Sequence, residues 1–352
     1  MGGHATMARM PLCLLLPGLL WPAKAHYDTA RDHDLPALAG LLGRGRIERR
    51  PGQPWEAWLC NAFGIETAEP PVAALRLLGA GFHPGDAFWI CADAAHLGLE
   101  RTTLALSAVG FDDLDAAAAE ELAAALAPAL APLGELRGGA AGRGYLRLKE
   151  PPAIATTPPS AALGRRADTV EPRGAAAAQW RRNANEAQMC LHRHPLNERR
   201  TAAGLLPVNS LWFWGAGRLP PQRPCPFAAA WGDAAAAPLL QGLAAWGEIA
   251  FAAAPPDGDA LLAGHNPNGI VVLTGLLPAT QALDALAWRG ALAALERHWL
   301  APLGSALRRG RLDRLTLVGL GDETSVEVTA TAADRYRFWR KPLPLADLVP
   351  PR

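Results

Sequence analysis

The stretch from Arg173 to Gly217, RGAAAAQWRRNANEAQMCLHRHPLNERRTAAGLLPVNSLWFWGAG, constrains the fold more than any other part of the chain. Ala175 to Leu191 contains neither Pro nor Gly. Trp180, Ala184, Ala187 and Leu191 recur there at three- or four-residue spacing, so a helix is expected. His194-Pro195 should end it, because the residue before a proline is pushed out of the α region and proline cannot donate a backbone hydrogen bond. A turn through Asn197 and Arg200 follows, and Gly204 frees the backbone for a positive φ. Pro207 to Trp214 then reads as a buried strand ending in Gly215-Ala216-Gly217. In an open α/β sheet, a strand that runs into small residues at its carboxyl end lets a ligand approach the backbone amides.

These residues admit two readings. His194, Asn197 and Asn209 suit a helix cap and a tied-down turn, the commoner use of such side chains in loops. Trp212, Phe213 and Trp214 suit a packed core. The alternative is a site in which Arg200 grips an anion with its planar fork, with His194, Asn197, Asn209 and the amides of Gly215 to Gly217 around it.

With 352 residues, half of them hydrophobic, the chain has ample material for a packed core in one large domain or two. The formal net charge of +1 implies neither a nucleic-acid nor a membrane partner. Five scattered cysteines read as free thiols in a reducing compartment, hence a cytoplasmic protein. Met10 to Leu20 is too short and too broken to span a bilayer. Leu12 to Leu16 reads as a first buried strand turning at Pro17-Gly18, with Met1 to Ala8 as a frayed end; a secretory signal over the first 25 residues is the rival, from Arg9 and Ala23-Lys24-Ala25.

Along the chain, short helices are expected at Leu35 to Leu42 and Trp55 to Ala62, and strands at Ala87 to Ala92, Leu104 to Val109 and Tyr145 to Leu148. An Ala-rich helix from Asp115 to Leu130 is capped by Asp112, Asp113 or Asp115. Asp93 and His96 are two metal-type side chains without a third, and a surface turn is preferred for them. Pro151 to Gly174 holds five prolines and marks an irregular connection. Later come a helix at Ala234 to Ala245, a strand at Gly269 to Thr274, a helical region at Thr280 to Arg309 interrupted at Pro302, and strands at Leu312 to Leu320 and Ser325 to Thr331. The alternation implies an α/β fold with a mainly parallel sheet flanked by helices. Residues 1–98 form the first part of the core, 99–155 a small inserted α/β domain, 156–174 the Pro-rich connection and 175–345 the second part of the core.

HPLNERRTAAGLLPVNSLWFWGAG, His194 to Gly217, resembles a motif of the archaeal-type cofactor-independent phosphoglycerate mutases, HPxNxxRxxxGxxPxN followed by a strand and GxG. His194, Pro195, Asn197, Arg200, Gly204, Pro207, Asn209, Gly215 and Gly217 all fit. WRRNANEAQMCLHRHPLNERR and DRYRFWRKPLPL are similar to the RpfE-type regulatory proteins. The resemblance implies an alkaline-phosphatase-like core and a serine nucleophile with two divalent metals held by Asp and His. This chain departs from that set. Pro17 stands where the first metal Asp belongs, and Leu277-Pro278-Ala279-Thr280 offers neither the Asp nor the His. Asp322-Glu323-Thr324-Ser325 replaces the final Asp-His-Ser-Thr, and Gly52 to Leu59 contains no serine. Proline and alanine cannot ligate a metal. The expectation is a catalytically degenerate protein without metal, cofactor or catalytic residues, in a regulatory role or binding a small phosphorylated or other anionic ligand. An active mutase or phosphatase drawing on Asp93, His96, Asp322 and Glu323 is one alternative, and a structural interaction protein another.

Overall fold

A computed structural model describes residues 11–100, 103–264, 268–337 and 339–349. The chain divides into two compact units, one from the residues up to Trp55 together with those from Cys225 on, the other from Glu56–Pro224. In chain order the strands are β1 (Pro11–Pro17), β2 (Arg46–Pro51), β3 (Trp89–Glu100), β4 (Thr103–Val109), β5 (Gly134–Gly139), β6 (Arg143–Leu148), β7 (Ser210–Gly217), β8 (Ala229–Gly232), β9 (Ala250–Ala253), β10 (Gly269–Val272), β11 (Arg314–Leu320) and β12 (Thr324–Thr331).

The first unit carries a seven-stranded sheet in the order β2-β12-β11-β1-β10-β8-β9. Its middle is parallel, with β1 between β10 and β11, and β12 and β2 add antiparallel edges. β1 is nearly continuous hydrophobic sequence because a central parallel strand is covered on both faces; Leu14, Leu15 and Leu16 are fully buried. The fold class expected from the alternation of strands and helices is therefore found, a mainly parallel sheet flanked by helices, beside a second, antiparallel sheet. Pro302 does not interrupt its helical region. The helix Ala285–Leu295 passes through a π-helical turn, Glu296–Leu300, into Ala301–Arg308, and this irregular turn stands just before Pro302, where the ladder loses a donor. The π turn also presents the buried Glu296 carboxylate to the amides of Ala37 and Leu38, at 2.5 and 3.1 Å, opening the helix Pro36–Arg44.

The second unit is built on a five-stranded sheet in which β3 is central, paired antiparallel with β4, β6 and β7, and β5 pairs with β6. Two expectations are corrected here. The motif strand β7 belongs to this antiparallel sheet, not to the parallel core, so residues 175 to 224 leave the second part of the core to which the sequence assigned them. The insert is also larger than 99–155. β3 runs straight across the expected boundary, and the Pro-rich stretch is stitched into the unit by Ala155 pairing with Arg173 and by the Leu106 amide donating to the Arg165 carbonyl. Proline removes donors but leaves carbonyls and neighbouring amides able to pair, so a run of prolines need not be a linker. Met1 to Met10, with the frayed end and the first ten residues of the rival signal segment, lie outside the described residues. Among the described residues no helix is long and apolar enough to cross a membrane.

Candidate functional site

In the second unit, the helix Ala177–His192 ends as expected, but a second helix, Pro195–Ala202, replaces the expected turn. The reason is local: Pro195 occupies the first helical position, where its missing N–H costs nothing, and His194 Nδ1 caps the new helix by accepting from the Leu196 amide at 3.2 Å. Asn197 Nδ2 donates to the Leu191 and Val208 carbonyls, each at 2.7 Å, and its Oδ1 accepts from the Val208 amide at 2.8 Å. One amide side chain thereby ties the end of one helix to the start of the next strand. Asn209 pairs with Leu97 as a backbone would, accepting at 2.8 Å and donating at 2.9 Å.

Arg200 is buried under the same turn. Its Nε donates to the Leu206 carbonyl at 2.7 Å, its two terminal nitrogens bond the Asp113 carboxylate, and its guanidinium lies 4.8 Å over the Phe111 ring. The guanidinium holds the Asp113 carboxyl below the usual range, chiefly by hydrogen bonding. Gly215 takes a φ of +64°, and a Cβ there would lie 2.7 Å from the Val72 side chain; a Cβ on Gly217 would lie 2.7 Å from Pro71. These two glycines let the helix Val72–Gly79 sit on the end of β7. The six residues read as a ligand cradle thus face different partners. Asn209 borders a groove against the helix Ala177–His192, whereas Arg200 turns to Asp113, and the donors and acceptors named here are engaged within the fold.

Asp93 and His96 do not form a surface turn. Both lie in β3, where an odd spacing sends them to opposite faces. His96 Nδ1 bonds the Pro207 carbonyl at 2.8 Å, while Asp93 is 2% exposed and anchors a buried network. Its Oδ2 accepts from Arg76 Nη1 at 2.9 Å and from Trp214 Nε1 at 2.8 Å, and its Oδ1 from the Gly144 amide at 3.2 Å. The Arg76 guanidinium also lies 5.3 Å from the Trp214 ring and 5.8 Å from that of Tyr145. Burial pushes the Cys91 thiol and the Tyr145 phenol up to about 12, so both stay neutral. Sequence reading missed this network, although one signal existed: an arginine inside the otherwise apolar VAALRLLG.

Glu56 is a further buried acid of this unit. Burial raises its carboxyl from the usual 4.5 to about 7, against the opposing pull of the Ser160 hydroxyl, which donates at 2.6 Å, and of the Arg76 charge. The folded state therefore holds the proton more tightly than the unfolded chain. The stabilisation is complete below about pH 4.5 and is lost as pH rises through about 7, an effect on the order of 3 kcal/mol. His26, in the other unit, acts in the opposite sense. Burial lowers its pKa, so its contribution is complete above 6.5 and fades as pH falls. Glu56→Gln should accordingly flatten the decline in melting temperature between pH 5 and 8 relative to wild type, as scanning calorimetry would record; parallel curves for the two proteins would contradict the assignment.

In the first unit the carboxyl ends of β1, β8, β10 and β11 meet at one edge, where ligands sit in open α/β sheets. Several positions singled out by the mutase resemblance lie there. Gly18 takes a φ of +80°, and a Cβ on it would lie 2.9 Å from Leu277 Cα. Its carbonyl accepts from Trp288 Nε1 at 2.8 Å and Thr280 Oγ1 at 3.1 Å, and the Gly52 amide donates to the Glu323 carbonyl at 2.9 Å. The chemistry there is packing. Leu19, Leu20, Trp21, Leu276 and Trp288 are buried around the turn, and Trp21 and Trp288 meet with ring centroids 5.3 Å apart. Asp233 follows β8, but its oxygens accept from the Ala236 amide at 3.1 Å and from Thr274 Oγ1 at 2.9 and 3.0 Å. Among the described residues no three His, Cys, Asp or Glu side chains gather closely enough to hold a metal. This donor set does not fit a pair of divalent ions, which need several carboxylate or imidazole ligands each.

No family model matches the chain, and no curated protein matches it. Among solved structures, the PH0037 protein from Pyrococcus horikoshii has the same fold, at 16% identity and a TM-score of 0.55 over 96% of this chain and 92% of that one. A cofactor-independent phosphoglycerate mutase from Thermoplasma acidophilum aligns at 17% identity and a TM-score of 0.46, over 96% and 94%.

Proposed function

We propose that the chain is a degenerate relative of the cofactor-independent phosphoglycerate mutases, close to the RpfE-type regulatory proteins, and that it acts by binding instead of phosphoryl transfer. The observation that carries this reading is the sheet edge at Pro17-Gly18. The turn is covered by Leu277 and Thr280 and surrounded by buried Leu and Trp side chains, where two-metal chemistry needs acids. The nine motif positions from His194 to Gly217 support the relationship. Elemental analysis of purified protein, paired with mutase and phosphatase assays in added manganese or zinc, tests it. The expected result is no stoichiometric metal and no turnover; two tightly held divalent ions per chain, or turnover, would overturn it.

A second reading keeps the anionic ligand at Arg200, and one observation favours it. The Asp113 side chain that pairs with the buried guanidinium is itself 44% exposed, so an incoming phosphate could exchange with it. On this reading Asp113→Asn frees Arg200, and inorganic phosphate or 3-phosphoglycerate raises the melting temperature of the variant more than that of wild type. If the pair is purely architectural, the variant melts earlier and neither anion restores it.

A further inference from the structure

The near-zero net charge hides an uneven distribution in the first unit. Arg335 Nη1 donates to the Arg308 carbonyl at 3.2 Å, its guanidinium lies 4.7 Å over the Tyr336 ring, and Nη2 donates to the Tyr336 hydroxyl at 2.7 Å. Arg337 Nη1 donates to the Arg44 carbonyl and Arg340 Nη1 to the Gly45 carbonyl, each at 3.3 Å. These contacts join the end of the helix Ala301–Arg308, the segment after β12 and the turn into β2 in one strip. Exposed Arg309, Arg311 and Arg314 extend it at one end, and exposed Lys341 at the other. The strip lies at the amino-terminal end of β11, where Arg314 pairs with Pro11 and Thr331, so it is remote along the strands from the sealed carboxyl edge.

Little of this charge is neutralised locally. Arg337 has Asp334 at 2.9 Å, Arg46 has Glu48 at 3.0 Å, and Asp313 adds one exposed carboxylate. Arg335 and Arg340 spend the bonds described on neutral carbonyls and a phenol, which leave a full positive charge. Two aromatic side chains stand among the cations, Tyr336 at 63% and Trp339 at 67% exposure. Two large aromatics three residues apart among guanidinium groups give the strip stacking surface as well as charge.

We propose that this strip binds single-stranded nucleic acid, with phosphates on the guanidinium groups and a base stacked on Trp339. Cations tracking a backbone, interleaved with aromatic platforms, make the combination such strands require. An anionic membrane fits less well. Interfacial binding scales with buried apolar area, and two aromatic side chains among this many cations offer little of it.

Fluorescence anisotropy with a labelled oligouridylate or oligodeoxythymidylate of roughly 20 nucleotides tests the proposal between about 50 and 200 mM salt. Affinity should fall with salt at a logarithmic slope of about −0.7 per phosphate contacted. Arg340→Glu with Lys341→Glu should weaken binding at least about tenfold and flatten that slope, since two phosphate contacts are lost. Arg309→Glu with Arg311→Glu, at the far end of the strip, should do the same and guards against a local folding defect in the first variant. Trp339→Ala should weaken binding roughly tenfold with the slope unchanged. The proposal fails if no binding is seen at the lowest salt, or if folded charge-reversal variants bind like wild type. It fails equally if phosphatidylserine vesicles bind and the oligonucleotides do not, or if heparin competes fully and Trp339→Ala has no effect, which would mark a general polyanion surface.

Discussion

Asp93→Ala should destabilise the second unit by about 3–5 kcal/mol, the range for breaking one partner of a buried ion pair. The substitution removes the carboxylate that Arg76, Trp214 and the Gly144 amide all address, and leaves a charged guanidinium at 8% exposure without its hydrogen-bonded partner, with the Glu56 carboxyl acting on it only through space. Relaxation is restricted because the surrounding strands are tightly apposed: a Cβ on Gly144 would lie 2.1 Å from the Ala92 carbonyl oxygen. Urea denaturation followed by tryptophan fluorescence should show the loss directly. Arg76→Met combined with Asp93→Leu should recover much of it, since an apolar pair of similar volume replaces the buried charges without their desolvation cost. If Asp93→Ala shifts the midpoint by less than the equivalent of about 1 kcal/mol, the typical effect of an ordinary substitution, the network is not the anchor described.

The second large effect is expected at Asn197. Asn197→Ala deletes three hydrogen bonds at once and strands the Val208 amide and carbonyl at a position that is 8% exposed, while the Leu191 carbonyl keeps the His194 amide at 3.1 Å. Each unsatisfied buried group costs about 1–3 kcal/mol, and because the two belong to one residue the total should fall near 3 kcal/mol. Hydrogen exchange sharpens the test. The Val208 amide should lose protection in the variant while strands β5 and β6 keep theirs, because the damage is local to the joint between the helix Pro195–Ala202 and β7. Uniform loss of protection across the unit would show instead that the joint and the sheet open together.

Much was legible before any fold was known. The spacing of Trp180, Ala184, Ala187 and Leu191 locates a helix because a 3.6-residue period puts them on one face, and three of the four are buried. The apolar run at Leu12 to Leu16 locates a central parallel strand for an equally local reason, continuous burial on both faces. Of the three aspartates offered as the cap of the Ala-rich helix, Asp115 fills the position, accepting from the Ala118 amide at 2.8 Å. All three depend on neighbours a few residues away, which sequence spacing encodes.

Partnership across the chain is different in kind. No local pattern says that Arg200 will meet Asp113, 87 residues earlier, or that Asp93 will meet Trp214, 121 residues later. Nor does one say that β7 will pair with β3 rather than join the parallel sheet. The sequence by itself determined elements such as these three, the family resemblance and the departures from the mutase ligand set, since each is a property of residue type and spacing. Only the tertiary structure decided that the motif's polar side chains are engaged within their own unit. A buried donor or acceptor must find a partner somewhere, but sequence separation places no limit on where that partner lies.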